Sequence, residues 1–392
     1  MIYLDNAATT PLHPRALEAM MPYLTESFGN PSATYALARK ASKAIDDARR
    51  TVAAVLNARP SDIVFTSGGT ESINTALKGV AFAQKKARAG NHVVTTTVEH
   101  HAVHHSCNYL EQFGFEVTYV PVDSYGCVDP DDVARAVTER TVLVSVMLAN
   151  NEVGTIEPIP EIAAAVGERG RALRKRIPLH TDAVQAPGAL ELDVDRLGVD
   201  LLSLSGHKFG GPKGTGILYL RRGTPFVSQM SGGGQERQRR AGTENVAGIV
   251  GQAVALEAAE SEREAHSRDV AALRDFLIES VLRSVPDSRL NGCPDERLPN
   301  NVNISFRGVR GDELVLALDK KGIAASAGAA CGSSTWEPSH VLLAMGASMP
   351  EAVGALRLTL SAATTRAEVE AVAAVLPGLV ASLREGLTAR AV

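Results

Sequence analysis

Segment 203–216 combines residue types that can bind a small molecule and activate it chemically. It follows an apolar run typical of a β-strand, and it contains five glycines, one histidine and two lysines. Glycine lets a ligand approach the backbone closely, and a lysine partly removed from water has a lowered pKa and a more nucleophilic amine. The segment matches neither GxxxxGKS/T nor GxGxxG, which excludes those nucleotide-binding loops. A plain glycine-rich turn with solvated lysines remains the alternative at this point.

Segment 66–74 is suited to a phosphate group. Its glycines and hydroxyl side chains precede a helical pattern, and the start of a helix offers free backbone N–H groups and the positive end of the helix dipole to an anion. Ordinary capping of the helix explains the same residues when the segment is considered alone. Two such loops after two predicted strands, however, favour a ligand site.

Asp182 follows an apolar stretch and would emerge from a strand, where its carboxylate could pair with a cationic ring nitrogen. A helix N-cap is the alternative interpretation.

The histidines of segment 98–105 could share a helix face, but no HExxH pattern is present and no third ligand is evident, so we predict no metal site. A lysine for a Schiff base, an aspartate for a pyridinium nitrogen, a histidine that could stack on a ring and a phosphate cup together match the requirements of pyridoxal 5'-phosphate (PLP).

The elements that would position these residues alternate between short β-branched runs and alanine-rich helical stretches over residues 60–220. This alternation predicts an α/β fold with a mainly parallel sheet and helices on both faces. Ligands bind beyond the carboxyl ends of the strands in such sheets, so the loops described above would meet at one edge. The candidate strands begin near residues 63, 92, 116, 142, 201 and 216.

The remaining part of the chain predicts a second, smaller α+β domain. One long amphipathic helix over about 253–283 would connect the two domains. It would be followed by strands near 302–306 and 355–360 and by helices near 312–320, 338–345 and 366–387. We therefore predict a large PLP-binding domain, residues 13–258, and a small domain, residues 1–12 and 259–392, that carries the loop with Cys331.

Composition limits the classes of protein to be considered. The chain has 392 residues, with 40 Lys+Arg against 44 Asp+Glu and a formal net charge of −4. Such a balance lacks the broad basic field that nucleic-acid binding needs, so we expect no direct nucleic-acid partner. No apolar run reaches the roughly 18 residues that span a bilayer, and the first residues show no secretory leader. We therefore expect no membrane partner and a cytoplasmic location.

The four cysteines differ in their sequence neighbourhoods. No two of them form a CxxC pair, which disfavours a zinc ribbon and a disulfide framework and is typical of a reducing compartment. Cys107, Cys127 and Cys293 are interpreted as ordinary structural residues. Cys331 lies in segment 324–336, a run of small, polar and glycine residues that indicates an exposed loop.

Motifs along almost the whole chain resemble those of the cysteine desulfurases of the NifS/IscS type, within the class V aminotransferase family of fold type I PLP enzymes. The match extends from YLDNAATTP at 3–11 to LRLTL at 356–360. Between them lie GNPS at 29–32, FTSGGTES at 65–72, EHHAV at 99–103, ANNEVG at 149–154, SGHK at 205–208, GGGQER at 232–237 and GTEN at 242–245. The resemblance implies a sheet of the seven-stranded type, PLP as the cofactor, L-cysteine as the substrate and a homodimer.

The resemblance also implies roles for single residues around the cofactor. Lys208 would bind PLP covalently, and Asp182 would pair with its pyridine nitrogen. His100 would stack on the ring and could relay protons, and Gln185 would meet the phenolic oxygen. The phosphate and the substrate would be held by the following residues: Gly69, Thr70, Ser205 and His207 in the phosphate cup, Thr243 reaching the phosphate across the dimer interface, and Asn151 and Arg357 at the substrate carboxylate. An arginine fork suits a planar carboxylate.

Cys331 determines which class V reaction the resemblance implies. Its sequence matches the family's Ser-x-Gly-x-Ala-Cys pattern, in which the thiolate attacks the sulfur of L-cysteine, releases L-alanine and carries a persulfide. Pro338 lies seven positions after Cys331, which resembles the longer loop of the IscS/NifS group and not the shorter loop of the SufS group. A protein acceptor, serving iron–sulfur cluster assembly or the thiolation of tRNA or a cofactor, would receive the sulfur.

Several positions depart from the family pattern. They are Tyr35, Ala38, Ser231, Ala241 and Ala362, and none has a catalytic role in the family. Two alternatives stay open: a class V lyase or aminotransferase that acts on selenocysteine, cysteine sulfinate or cystine without needing Cys331, and a non-catalytic sulfur-trafficking scaffold. The basic segment 167–176 is interpreted as a solvated face, with an acidic partner as the alternative.

Overall fold

The computed structural model describes residues 1–328 and 338–390, and the side chains of residues 387–390 are not considered. Cys331, the predicted nucleophile, therefore lies outside the described residues. In the part of the chain that is described, no helix is both long and apolar enough to cross a membrane.

A seven-stranded sheet with flanking helices forms the larger part of the molecule. Its strands are β2 (Ile63–Thr66), β3 (His92–Thr96), β4 (Glu116–Val120), β5 (Thr141–Ser145), β6 (Leu179–Asp182), β7 (Leu201–Ser205) and β8 (Gly216–Leu220). Its helices are α1 (Pro14–Thr25), α2 (Ala36–Val55), α3 (Gly69–Lys86), α4 (His101–Glu111), α5 (Pro130–Ala136), α6 (Ile159–Ala172), α7 (Val194–Leu197), the single turn α8 (Gln235–Gln238) and α9 (Val246–Ser261).

The strand order is β2-β8-β7-β6-β5-β3-β4. Strands β7, β6, β5, β3 and β4 are mutually parallel, and β8 runs antiparallel to both of its neighbours. All but β4 are buried along their whole length, as expected for a sheet covered by helices on both faces. This confirms the predicted α/β fold with a mainly parallel sheet.

A three-stranded antiparallel sheet organises the smaller part. It consists of β9 (Ser288–Leu290), β10 (Asn301–Phe306) and β12 (Ala355–Thr359) in the order β12-β10-β9. Around it lie α10 (Arg263–Ser284), α11 (Gly311–Asp319), α12 (His340–Ala344), α13 (Met349–Val353) and α14 (Arg366–Arg390). The amino-terminal strand β1 (Ile2–Tyr3) pairs in parallel with β11 (Ile323–Ala324), and Leu4 packs in the same hydrophobic cluster as Val302. The predicted domain boundaries agree with this clustering but stay a prediction.

The prediction of one long helix over 253–283 is wrong, because two helices, α9 and α10, meet at Glu262. The two helices serve different cores. Ala253 and Leu256 of α9 pack in the core of the large sheet, whereas Val270 and Leu277 of α10 pack in the core of the small sheet. The residues of the two helices therefore belong to different cores, a division that a continuous amphipathic pattern does not reveal.

Candidate active site

One pocket of about 430 Å³ lies at the carboxyl edge of the large sheet, where the loops after β2, β6 and β7 meet the amino-terminal segment and β12. Its lining contains all the predicted site residues except two, Thr243 and Cys331, of which Cys331 lies outside the described residues. The predicted residues in the lining are Gly69, Thr70, His100, Asn151, Asp182, Gln185, Ser205, His207, Lys208 and Arg357. Thr243 is exposed and does not line this pocket in its own chain.

Lys208 lies directly after β7 on a single 3-10 turn, residues 206–208. Its Nζ donates hydrogen bonds to the carbonyl oxygens of Ala7 (2.5 Å) and Ala8 (2.8 Å) in the amino-terminal segment. Burial, together with the charge of Arg357, lowers the pKa of Lys208 to about 8. A substantial neutral fraction of the amine is therefore present near neutral pH, as a covalent nucleophile requires.

Asp182 ends β6, and its side chain is fully enclosed. Its Oδ1 accepts a hydrogen bond from the backbone N–H of Val184 at 3.0 Å, and among the described residues it forms no salt bridge. Burial raises the pKa of Asp182 to about 6, although the nearby charge of Lys208 acts in the opposite direction. A buried carboxylate is costly unless a cation joins it, and a protonated ring nitrogen above Asp182 would supply that cation.

The start of α3 forms the predicted phosphate cup. Gly68 is its N-cap residue and provides no side-chain cap, so the first N–H groups of α3 are available to an anion. A Cβ atom at Gly69 would lie 3.0 Å from Cγ2 of Val184 and 3.2 Å from Cβ of Ser205, which explains why glycine is needed at this close approach. The cup and the Asp182 carboxylate together fit the phosphate and ring nitrogen of PLP.

His207 and Lys213 border the same cup. Burial, with a contribution from the charge of Lys208, lowers the pKa of His207 to about 4, so its ring is neutral at neutral pH. One ring nitrogen of His207 lies 3.2 Å from the hydroxyl of Thr9. Lys213 is a candidate phosphate contact that the sequence analysis did not single out, although it is the second lysine of the glycine-rich segment.

His100 is the N-cap residue of α4, and its Nδ1 accepts a hydrogen bond from the N–H of Ala102 at 3.1 Å. Burial, followed by the charge of Lys208, lowers the pKa of His100 to about 4. The ring is therefore neutral, and its proton resides on Nε2, which suits stacking on an aromatic cofactor.

His101 and His105 do lie together, with ring centroids 5.4 Å apart, but no group of three potential ligands in the described part of the chain is arranged to hold a metal.

Arg357 lies on β12 and is 6% exposed. Its Nη1 donates to the carbonyl oxygen of Asn151 at 2.9 Å, and its Nη2 donates to Oδ1 of Asp5 at 2.9 Å. Its Nε is buried without a hydrogen-bond partner among the described residues, and the Arg357 side chain borders the pocket. Glu152 faces the same guanidinium, and burial raises the pKa of this carboxyl to about 7.

Gln185 donates a hydrogen bond from Nε2 to the carbonyl oxygen of Ala7 at 3.1 Å, so its side chain contacts the amino-terminal segment that also holds Lys208. Asp5 and Glu152 also line the pocket, although neither was predicted as a site residue from the sequence. Both stand inside motifs that carried the family resemblance, YLDNAATTP and ANNEVG, but their local sequence gives no sign that they face Arg357.

Comparison with known families matches residues 2–372 to the model described as Aminotransferase class-V. The cysteine desulfurase IscS of Methanosarcina thermophila is 50% identical to this chain over 383 residues, which are 98% of this chain and 93% of that protein. The cysteine desulfurase IscS of Dictyoglomus turgidum is 48% identical over 383 residues, covering 98% of this chain and 95% of its own length.

Solved structures give the same picture of the backbone. A NifS-like protein superposes with a TM-score of 0.90 at 38% identity, covering 97% of this chain and 100% of that chain. A structure of SspA in complex with cysteine has a TM-score of 0.81 at 37% identity and covers 93% of this chain and 100% of its own. The similarity therefore extends over nearly the full length of the chain.

Proposed function

The chain belongs to the class-V aminotransferase family, and from this premise we propose that it is a PLP-dependent cysteine desulfurase. It removes sulfur from L-cysteine, releases L-alanine and retains the sulfur as a persulfide on Cys331. The observation that carries the proposal is the convergence of Lys208, Asp182 and Arg357 in one pocket. This combination offers a nucleophilic amine, a buried anion and a guanidinium group that can bind a carboxylate. The cysteine desulfurase relatives support the choice of reaction.

Four side chains hold the cofactor in this proposal. Lys208 would attach it covalently, Asp182 would pair with its ring nitrogen, His100 would stack on the ring as a neutral imidazole, and Gln185 would meet its phenolic oxygen. The start of α3, with Ser205 and His207, holds the phosphate, and Thr243 reaches the phosphate of the second subunit. When bound, PLP supplies an electron-withdrawing ring that weakens the bonds at the α-carbon of an amino acid.

The substrate is oriented by Arg357 and Asn151. The guanidinium of Arg357, which lines the pocket, binds the α-carboxylate through the Nη hydrogens that Asn151 and Asp5 do not use. Lys208 Nζ, with its pKa near 8, accepts and returns protons close to neutral pH. Nε2 of His100, which lines the same pocket, carries a proton and is the second group able to donate one.

Cys331 supplies the sulfur acceptor on the enzyme, a role that rests on its sequence motif. Its thiolate forms a bond to the sulfur of L-cysteine, and the bond between that sulfur and the β-carbon breaks. The carbon keeps the electron pair and takes up a proton, so that L-alanine is the product and no external oxidant is needed. A thiol at the persulfide then returns Cys331 to its reduced state, which suits a cytoplasmic enzyme.

The enzyme acts as a homodimer and passes its sulfur to a protein acceptor in this proposal. An exposed apolar stripe supports a subunit interface. It is formed by Leu17, Met21 and Leu24 of α1 and by Phe28, which follows the helix. Such a patch is usually covered by another chain. The IscS relatives point to iron–sulfur cluster assembly as the destination of the sulfur.

The decisive experiment compares Cys331→Ala with the wild-type holoenzyme in the presence of L-cysteine and a thiol reductant. We expect sulfide and L-alanine production to fall by at least about a hundredfold, because the nucleophile is lost, and mass spectrometry to detect a persulfide only on the wild type. Cys127→Ala is the matched control, since burial raises the pKa of that thiol to about 12 and leaves it inert. Full sulfide release by Cys331→Ala would instead identify a class V lyase that works without a cysteine nucleophile.

A further inference from the structure

Asp5 lies at the edge of the candidate active site, and the proposed mechanism gives it no task. Its backbone is held firmly: it forms a parallel bridge with Thr359 of β12, and its carbonyl oxygen accepts hydrogen bonds from the N–H of Ala8 (3.0 Å) and the hydroxyl of Tyr3 (3.1 Å). Thr359 and Arg357 are two residues apart on β12, so they point to the same face of the strand. The bridge therefore places the Asp5 side chain beside the Arg357 guanidinium.

The pairing with Asp5 changes what Arg357 can offer a substrate. Nη2 of Arg357 is 2.9 Å from Oδ1 of Asp5, and the side chains of the pair are 7% and 22% exposed, respectively. A carboxylate ligand can still use the second hydrogen on each Nη of Arg357, because each of these nitrogens makes one hydrogen bond within the protein. The positive charge of the guanidinium, however, is already shared with one protein carboxylate before any ligand arrives.

The other carboxyl groups that face the pocket do not neutralise Arg357 as Asp5 does. Asp182 faces the predicted ring position at the end of β6, and Glu152 is a buried carboxyl whose Oε2 accepts a hydrogen bond from the hydroxyl of Ser339. Burial favours the neutral form of Glu152. Among the described residues of the lining, the cations are Lys208, which would attach the cofactor, and Arg357. Asp5 is the carboxylate paired with Arg357 and therefore offsets the charge that faces the substrate.

We propose that Asp5 is a specificity-determining residue that restricts the pocket to amino acids with an uncharged side chain. By neutralising part of the charge of Arg357, it leaves enough attraction for one α-carboxylate, as in L-cysteine, and disfavours a second anionic group on the β-carbon, as in L-aspartate or L-cysteine sulfinate. The proposal rests on the proposed function in one respect, namely that Arg357 binds the α-carboxylate of an amino acid.

The small volume of the pocket keeps a second carboxylate of the ligand close to Asp5, and this distance determines the repulsion between them. In a cavity of about 430 Å³, a β-carboxylate cannot escape the field of Asp5. At the effective dielectric constant of roughly 20 that applies near protein surfaces, and with partial screening by salt, one such repulsion should change a dissociation constant by about tenfold.

The test measures binding of unreactive amino acids to the holoenzyme by isothermal titration calorimetry. In Asp5→Asn the side chain keeps its shape and an oxygen that can accept from Arg357, but the charge is gone. We expect the dissociation constant of L-aspartate, divided by that of L-alanine, to fall about tenfold relative to wild type. Asp5→Glu, which restores the charge, should return this ratio towards the wild-type value.

Asp46→Asn is the matched control, because it removes the same charge from an exposed position on α2, and we expect no change in the ratio. An unchanged ratio in Asp5→Asn, or equal tightening of both ligands, would overturn the proposal. A further comparison needs no variant: wild type should bind L-asparagine, the neutral isostere, more tightly than L-aspartate, and equal affinities would also overturn it. Since neither measurement requires desulfuration, a failure of the proposed reaction is detected separately, by the Cys331→Ala experiment.

Discussion

Burial, more than any single partner, determines the protonation of the side chains that face the pocket. It is the largest cause of the lowered pKa values of Lys208 and His100 and of the raised pKa of Asp182. The result is a neutral imidazole, a partly neutral amine and a carboxylate that lacks a cationic contact among the described residues. A bound cationic ring would partly offset the cost of burying the Asp182 carboxylate, and shifted pKa values of this kind cluster at functional sites.

Asp182→Asn should therefore stabilise the cofactor-free protein while it abolishes activity. The folded-state pKa of Asp182 is raised to about 6 from an ordinary value near 4, so the buried charge destabilises the fold when the carboxyl is ionised, above pH 6. Replacing it with a neutral amide should raise the free energy of unfolding at pH 7.5 by on the order of 1–3 kcal/mol. This gain should shrink as the pH falls from 6 towards 4, where Asp182 is protonated in the folded state.

The measurement is urea unfolding of the cofactor-free forms across that pH range. Asp46→Asn, at the surface, serves as the control and should leave the pH dependence unchanged. If Asp182→Asn were less stable than wild type at pH 7.5, the carboxylate would be satisfied by the protein alone, and its pairing with a cofactor nitrogen would lose its physical basis.

At the scale of elements, the turn α8 supports the strand that leads into the phosphate cup. Three successive non-glycine residues of this turn, Glu236, Arg237 and Gln238, have φ values of 45°, 55° and 65°, a left-handed conformation that costs roughly 1–2 kcal/mol per residue. The carboxylate of Glu236 accepts two hydrogen bonds of 2.8 Å from Arg49 of α2 and one from the N–H of Phe65 in β2. This buried ion pair holds the strained turn against β2.

Arg49→Met should destabilise the protein by about 3–5 kcal/mol, because it leaves the Glu236 carboxylate buried without its cationic partner. The loss should also weaken PLP binding, since β2 runs directly into the cup at the start of α3. Thermal unfolding and the dissociation constant of PLP check the two effects. Lys43→Met is the matched control on the same helix: it removes an exposed pair with Asp47, and we expect no measurable change in either quantity. A variant Arg49→Met with wild-type stability would show that the pair does not support the turn.

At the scale of the whole molecule, the apolar stripe on α1 is the feature that a single chain leaves unexplained. Leu17, Met21 and Leu24 recur at helical spacing on one face, and Phe28 beyond the helix is 73% exposed. Covering this stripe with the same surface of a second copy would bury it at a twofold interface. The exposed position of Thr243, outside the pocket of its own chain, agrees with its predicted contact to the phosphate of a second subunit.

The double variant Leu24→Glu with Phe28→Glu should convert the proposed dimer into monomers, because it would place buried, unpaired carboxylates in the proposed interface. Sedimentation velocity gives the oligomeric state, and PLP affinity should fall with it if Thr243 acts across the interface. Leu316→Glu is the control, since Leu316 is 62% exposed on α11 and stands apart from the stripe. A double variant that stays dimeric would place the interface elsewhere.

The sequence by itself determined the fold class and most of the pocket. The β-branched runs correctly indicated a buried, mainly parallel sheet, and the glycine-rich loops and Asp182 lie together because the carboxyl ends of parallel strands share an edge. The interpretation of Cys331 depends on sequence alone. Only the tertiary structure decided that α9 and α10 are separate helices, that Asp5 meets Arg357, and that Glu236 meets Arg49. These features depend on contacts between distant parts of the chain, whereas periodicity and local motifs report only on neighbouring residues. The pairing of distant charges is set by the way the cores pack, which no local pattern encodes.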